Sequence, residues 1–261
     1  MALLQIVILA IVQGVGEFLP ISSSGHVVVL AALFDQFGEP LEEKLTVNIV
    51  LHLGTLLAIL VVYWRRVVRL LGQDRRVIGL LLAGSLPAAV VGILFQQFFQ
   101  ASLESALVAG LMFPVTGVLL LSTKRVTVGS LSCRQLSYWK SITIGAFQAF
   151  AILPGISRSG ATIVAGLRCG LSREEAATFS FLLAIPAIAG AGLLEGIKLA
   201  SQSPAAGALG LLALGGGLSF AVGLVSLVWL LRWLKQGRLH CFAWWVLLLG
   251  PAVVVWQLWF S

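Results

Sequence analysis

Glu17, Ser23 and His26 fall within one ten-residue stretch, and Arg158 lies far downstream in a segment spelled in nearly the same way. A carboxylate, a hydroxyl, an imidazole and a guanidinium are the groups that phosphoryl transfer uses: a nucleophile, a proton acceptor and a fixed cation for the phosphate. The two segments, QGVGEFLPISSSGH at 13–26 and QAFAILPGISRSGA at 148–161, align without a gap at an offset of 135. Gln13 falls on Gln148, Ser22 on Ser157, Ser24 on Ser159 and Gly25 on Gly160, whereas Glu17, Ser23 and His26 stand against Ile152, Arg158 and Ala161. One copy offers an acid and a base, the other a cation.

Each copy is interrupted by Pro, Gly and Ser. A helix is predicted to restart near Ser23 or Ser24 after Pro20, and near Ser157 to Ser159 after Pro154–Gly155. Such restarts present open N–H groups, serine hydroxyls and the positive end of a helix dipole, which together attract anions. Two of them, with Arg158 on one, suit a phosphate or diphosphate, whose oxygens a guanidinium grips in a two-pronged way. Gln13, Ser22, Ser24, Gly25, Ser157, Ser159 and Gly160 are the expected substrate-binding residues, beside Glu17, Ser23, His26 and Arg158 as the catalytic ones. Gln13 and Glu17 are four apart, hence on one helical face. A carboxylate beside an anion site is electrostatically unfavourable unless it acts as acid or base or a cation intervenes. A divalent ion on Glu17, Mg²⁺ or Ca²⁺ given oxygen-only ligands, resolves the conflict. His26 follows Ser23 by three residues, so it either activates Ser23, attacks itself, or helps to position water; the sequence leaves these open. His52 and Asn48 share a helical face and either line the same cavity or serve in packing. A purely structural Glu17–Arg158 pair is an expensive alternative, since each charge costs about 2.5–3.5 kcal/mol at the centre of a membrane helix.

The elements that must hold these groups are set by composition. The chain has 261 residues, of which 59% are hydrophobic and 10% charged, with a mean hydropathy of +1.03. That excludes a soluble domain and gives one all-α polytopic membrane domain over 1–261. Apolar runs long enough for about 30 Å of hydrocarbon occur near 46–64, 77–99, 103–122, 174–196, 207–233 and 241–260, giving six full transmembrane helices. The motif regions, 2–38 and 138–172, each consist of an apolar arm, a break and a short second arm, and are expected to be re-entrant helical hairpins. With 46–64 running inward, Arg65, Arg66, Arg69, Arg75, Arg76, Lys124, Arg125, Arg134, Lys140, Arg168, Arg173, Arg232, Lys235 and Arg238 lie inside, and only Lys44 and Lys198 lie outside. The two hairpins then enter from opposite faces, as an inverted repeat, whose functional site normally forms where the broken elements meet. The net charge of +7 belongs to this topology signal, not to nucleic-acid binding, which is excluded. No Lys or Arg precedes Lys44, so the first apolar stretch is expected to remain in the mature protein. Cys133, Cys169 and Cys241 lack metal-ligand spacing and are expected to be reduced packing residues.

QGVGEFLPISSSGH resembles the (Glu/Gln)-x-x-x-Glu plus S-S-x-G-H segment of the bacitracin-resistance type undecaprenyl-diphosphate phosphatases, and PGISRSGAT resembles their P-G-x-S-R-S-G segment. LHLGTLLA, GSLPA and SREEAATFSFLLAIPA extend the likeness over most of the chain. The resemblance implies an integral enzyme of the bacterial cytoplasmic (inner) membrane that removes the terminal phosphate of a C55 isoprenoid diphosphate. It further implies a site open to the outer face, dependence on a divalent cation, and bacitracin resistance on overproduction. Glu17 would be the motif acid with Gln13 its partner, Ser23 and His26 the catalytic hydroxyl and imidazole, and Arg158 the phosphate clamp with Ser157, Ser159 and Gly160 in its loop. Gln13 is the amide variant of the first motif position, so a two-carboxylate metal site is not available. The implied partners are the polyprenyl diphosphate and membrane lipid, with homo-oligomer assembly left open. An inverted-repeat transporter or polyprenyl-phosphate flippase is the alternative, set apart by the convergence of Ser23, His26 and Arg158, which transport does not require.

Overall fold

A computed structural model describes residues 2–38, 44–201 and 206–260. It is all-helical: α1 (Ala2–Phe18), α2 (Ser23–Gln36), α3 (Lys44–Val62), α4 (Trp64–Leu70), α5 (Arg75–Phe98), α6 (Gln100–Leu103), α7 (Ala106–Ser122), α8 (Tyr138–Phe150), α9 (Arg158–Arg168), α10 (Arg173–Ser201), α11 (Ala206–Lys235) and α12 (Ala243–Phe260). Among the described residues the extended contacts amount to a single parallel bridge between Leu131 and Leu171. Among the described residues, four segments are long and apolar enough to cross a bilayer: Arg75–Phe95, Ala106–Arg125, Leu209–Lys235 and Leu239–Trp259. A fifth is the pair α3 and α4, folded by 79° where they join. The continuous span expected at 46–64 therefore ends in a bend, because Arg65, Arg66 and Arg69 follow at once and hydrocarbon rejects them. The run at 174–196 falls within α10, some of whose side chains, with those of Lys44 and Lys198, lie outside the described residues.

The outer surface supports a lipid environment. Leu82, Leu86, Val90 and Ile93 recur every three or four residues along α5 and all are more than half exposed, an apolar stripe that water would penalise and lipid accepts. Pro87, Pro114, Pro186 and Pro251 sit inside helices, where neighbouring helices shelter the freed carbonyls. By contrast, Pro20 and Pro154 coincide with complete breaks, the second sharpened by Gly155 at a φ of +94°, which a side-chain-bearing residue rarely adopts. The helices flanking these breaks are short. At 1.5 Å per residue, α2 is about 21 Å long, α8 about 20 Å and α9 about 17 Å, all below a bilayer's hydrocarbon thickness.

Charged groups gather the helix ends. Arg66 of α4 pairs with Glu175 of α10 at 2.5 Å, Arg134 pairs with Asp74 just before α5, Arg168 of α9 bonds Ser122 of α7, and Lys235 of α11 lies 3.9 Å from Glu174. These contacts bring the start of α10 and the ends of α4, α7, α9 and α11 to one basic end of the bundle. Arg66, Asp74, Cys133, Arg134, Glu175 and Thr178 line a polar cavity of about 260 Å³ there. Burial, reinforced by the Glu175 carboxylate, pushes the Cys133 thiol well above its usual range, so it stays protonated. Its Sγ donates to the Glu175 carbonyl at 3.5 Å, a packing role.

Candidate active site

The two breaks interlock. Ser22 precedes α2 and Ser157 precedes α9; their hydroxyls cap the new helices by accepting from Gly25 N at 3.3 Å and Gly160 N at 3.1 Å. The aligned residues thus perform aligned tasks, and Ser22 Oγ···Ser24 Oγ (3.4 Å) matches Ser157 Oγ···Ser159 Oγ (3.2 Å). Capping of this kind is worth about 1 kcal/mol per helix. Ser22 also accepts from Gly155 N at 3.1 Å, so one hydroxyl ties both hairpin tips together. Its own backbone has a φ of +71°, and His26 Nδ1 donates to its carbonyl at 2.7 Å. Gly25 rests directly on the facing tip: a Cβ there would lie 2.6 Å from Gly155 N and 2.8 Å from Gly155 Cα. Thr116 of α7, which the sequence did not single out, anchors the second tip by donating to Gly155 O at 2.8 Å and accepting from Ser157 N at 2.9 Å.

At this junction Glu17, the last turn of α1, meets Arg158, the first residue of α9. Phe18, fully buried against Phe181 of α10, fixes the end of α1. Arg158 Nη2 donates to Glu17 Oε1. Ser23 donates to Glu17 Oε2 at 2.8 Å and Gln13 Nε2 to the same oxygen at 2.9 Å. All four are largely buried, Gln13 completely, so acid, hydroxyl and guanidinium converge as the motif spacing predicts. The cation that keeps Glu17 compatible with an anion site is, in the first instance, Arg158. Within this group of four residues two buried polar atoms have no hydrogen-bond partner: Arg158 Nη1 and Gln13 Oε1. Buried donors and acceptors are costly when unpaired.

The histidines divide differently from expectation. His26 does not bond Ser23: its Nδ1 goes to Ser22 and its Nε2 accepts from the indole of Trp245 at 2.9 Å. Trp245, near the start of α12, is thus attached to the first turn of α2. His52, weighed equally as a packing residue, has Nε2 3.6 Å from Glu17 Oε2 while Nδ1 donates to Asn48 O at 2.8 Å. With Nδ1 the donor, Nε2 faces the carboxylate as a lone pair or, when protonated, as a cation. The spacing of VNIVLHLG was the only signal for it. Gln148, the counterpart of Gln13, is buried and its amide makes no hydrogen bond among the described residues; its i+4 neighbour is Ile152, which accepts nothing.

For a divalent ion the donor set is oxygen-only, comprising the Glu17 carboxylate and the unpaired Gln13 Oε1. No group of three His, Cys, Asp or Glu side chains exists among the described residues to hold an ion without help. Two such oxygens would not hold a divalent ion alone; the rest of its shell would have to come from phosphate oxygens and water.

Fold and site together define a multi-pass helical membrane protein with a buried carboxylate, serine and arginine at the meeting point of two helix N-termini. The chain belongs to the family described as Bacitracin resistance protein BacA, whose model matches residues 6–252. It is 50% identical to an undecaprenyl-diphosphatase of Rhodopirellula baltica, over 97% of each chain. It is 40% identical to one of Desulforapulum autotrophicum, over 93% of this chain and 94% of the other, and 33% identical to one of Methanosphaera stadtmanae, over 97% of each.

Proposed function

We infer that this protein is a membrane-embedded phosphatase that hydrolyses undecaprenyl diphosphate to undecaprenyl phosphate and inorganic phosphate. The full-length match to relatives named for that activity carries the inference, and the Glu17–Ser23–Arg158 junction supplies suitable chemistry. The transporter or flippase alternative has no observation of its own.

In this reading Arg158 keeps Nη2 on Glu17 and offers Nη1 to the terminal phosphate, where charge shifts during transfer and preorganised donors contribute most. Ser23 Oγ attacks the terminal phosphorus, its proton passes to Glu17 Oε2, and the bridging P–O bond breaks to release undecaprenyl phosphate. Water then attacks the phosphoserine; it loses a proton to the basic groups of the site while the Ser23 Oγ–P bond breaks and Ser23 is reprotonated. Ser23 is preferred to His26 as nucleophile because its hydroxyl already faces a proton acceptor, whereas both His26 nitrogens are engaged. A divalent ion would be held by Glu17 and the Gln13 carbonyl oxygen, and would neutralise diphosphate charge. Ser22, Ser24, Gly25, Ser157, Ser159 and Gly160 shape the two helix ends around the anion.

The same reading has six spanning helices and two re-entrant hairpins of opposite entry, α1–α2 and α8–α9, in the bacterial inner membrane, with the basic end cytoplasmic and the site reached from the outer face. It is supported by the short arms, by the attachment of α9 to the basic end through Arg168, and by the course of α2. His26 and Gln36 bond Trp245 and Trp256 in the same order along α12, so α2 leads away from that end.

The test is a phosphoenzyme trap with substrate labelled on the terminal phosphate. The wild type and His26→Ala are expected to trap label on serine, and Ser23→Ala to trap none. Label on histidine, or undiminished turnover by Ser23→Ala, would overturn the assignment.

A further inference from the structure

His26, on the first turn of α2, is joined by a hydrogen bond to Trp245, which is exposed at the surface of the bundle. α2 and α12 both pack on α7, and two indole hydrogen bonds join them to each other: Trp245 Nε1 to His26 Nε2 at 2.9 Å and Trp256 Nε1 to Gln36 Oε1 at 3.1 Å. Trp245 is 55% exposed although it bonds directly to a residue on the first turn of α2. The two rings are nearly coplanar, 7° apart with centroids at 6.2 Å, which is the edge-on arrangement of an in-plane N–H···N bond, not a face-to-face stack. The edge of Phe113 closes the other side of His26 at 5.0 Å. Below this latch, Val28, Ala32, Leu33 and Leu249 are partly buried in the apolar cluster shared by the three helices. The seam is therefore apolar between two polar ends, the Trp245–His26 bond at the inner one and the Trp256–Gln36 bond at the outer.

Resting on the assignment of Ser23, Glu17 and Arg158 as the reaction centre, we propose that the α2–α12 seam admits the isoprenoid chain of the substrate laterally from the bilayer, with the Trp245–His26 bond as its latch. A C55 chain attached to a diphosphate must leave the site through an apolar path continuous with lipid. The seam offers such a path: Trp245 is exposed at the surface of the bundle on one edge and bonds His26 on the other. Opening it breaks two neutral hydrogen bonds and slides apolar side chains over α7, without parting α2 from α7 or uncoupling Ser22 from Gly155. Freed from the indole, His26 Nε2 faces the seam as an acceptor.

Linking the helices tests this. In a chain with Cys133→Ala, Cys169→Ala and Cys241→Ala, the pair Gln36→Cys and Trp256→Cys is joined by a short, reducible dithiol cross-linker, and phosphate release is measured on undecaprenyl diphosphate and on a C5 isoprenoid diphosphate, which has no long chain to thread. The cross-link is expected to lower kcat/KM for the long substrate at least tenfold relative to the short one, and reduction to restore the ratio. An unchanged ratio overturns the proposal, whether both activities persist or both are lost together. Trp245→Phe keeps the ring and removes the donor. Losing a hydrogen bond of about 1 kcal/mol raises the long-to-short kcat/KM ratio about fivefold, and a ratio that stays level or falls counts against the latch. Failure of the assigned reaction centre would appear separately, as retained hydrolysis of the C5 substrate by Ser23→Ala.

Discussion

Gly25→Ala adds one methyl group and removes no functional atom, which makes it a clean probe of whether the two hairpin tips must touch. The new Cβ would stand 2.6 Å from Gly155 N, 2.8 Å from Gly155 Cα and 2.9 Å from Phe113 Cζ. Comfortable separations are about 3.5 Å or more, so the overlap is about 0.9 Å at the nearest atom. Neither neighbour yields easily. Gly155 is held by Ser22 at 3.1 Å and Thr116 at 2.8 Å, and Phe113 is fully buried against His26. Relief must come from moving α2 away from the 154–158 segment, which also carries Ser23 away from Arg158 and from Glu17 at the end of α1.

Two magnitudes follow, and they differ. Overpacking costs about 1–3 kcal/mol, offset by about 1 kcal/mol because alanine suits a helix better than glycine, so the variant remains folded with a modestly lower melting temperature. Misplacing reacting groups by about 1 Å costs on the order of 100-fold in rate. Phosphate release from undecaprenyl diphosphate in detergent should therefore show kcat/KM about 100-fold lower in a protein that still unfolds cooperatively. Gly160→Ala is the graded control: its Cβ would meet Pro20 and Ser157 at 3.1–3.2 Å, a few tenths too close, and kcat/KM should fall less than about tenfold. Near-wild-type kcat/KM for Gly25→Ala, or a larger loss for Gly160→Ala, would refute the interlocked-tip geometry.

Arg158→Lys retains charge but not the two-pronged grip, and kcat/KM should drop about 10²–10³-fold; a loss under tenfold would reduce Arg158 to a point charge. Thr116→Val leaves Gly155 O and Ser157 N unpaired in the interior, costing about 1–3 kcal/mol for each group, so melting temperature and kcat/KM should fall together, and an unaltered melting curve would contradict the anchor role. Glu175→Gln removes the charge that holds Arg66 at 2.5 Å and weakens the acceptor for Cys133 N at 2.7 Å; it should lower the melting temperature while kcat/KM stays within about twofold, because removing one partner of an ion pair destabilises locally. Chelation by EDTA should abolish phosphate release and added Mg²⁺ or Ca²⁺ restore it, whereas full activity in EDTA would remove the ion from the mechanism.

Much of the site was legible because its parts are expensive in a membrane. Glu17 and Arg158 stood out as charges in apolar sequence, and the repeated S-x-S-G pattern announced two helix starts whose caps form as its spacing implies. What escaped notice was whatever a soluble or lipid-facing role explains equally well. Thr116 looks like any small polar residue of a membrane helix, and Trp245 like any interfacial tryptophan; only the packing of α7 and α12 against the tips distinguishes them. The bend after α3 was missed for a different reason. Hydropathy sums over a window, and a turn caused by three arginines at its end leaves the average high.

The divergence between the two copies follows from their meeting head to head. If both tips carried the residues of the first, the bundle would hold two carboxylates there and no guanidinium; if both carried those of the second, two guanidiniums and no carboxylate. Like charges about 4 Å apart repel by about 4 kcal/mol at an effective dielectric of 20, comparable to much of a domain's net stability. One arginine against one glutamate turns that repulsion into an ion pair. It also leaves Arg158 Nη1 and Gln13 Oε1 without partners, a donor and an acceptor beside the hydroxyl of Ser23. The capping serines and the close glycines, which serve backbone geometry, stay the same in both copies. Among the positions that differ are Glu17, Ser23 and Arg158, the residues to which the proposed mechanism gives its acid, nucleophile and cation.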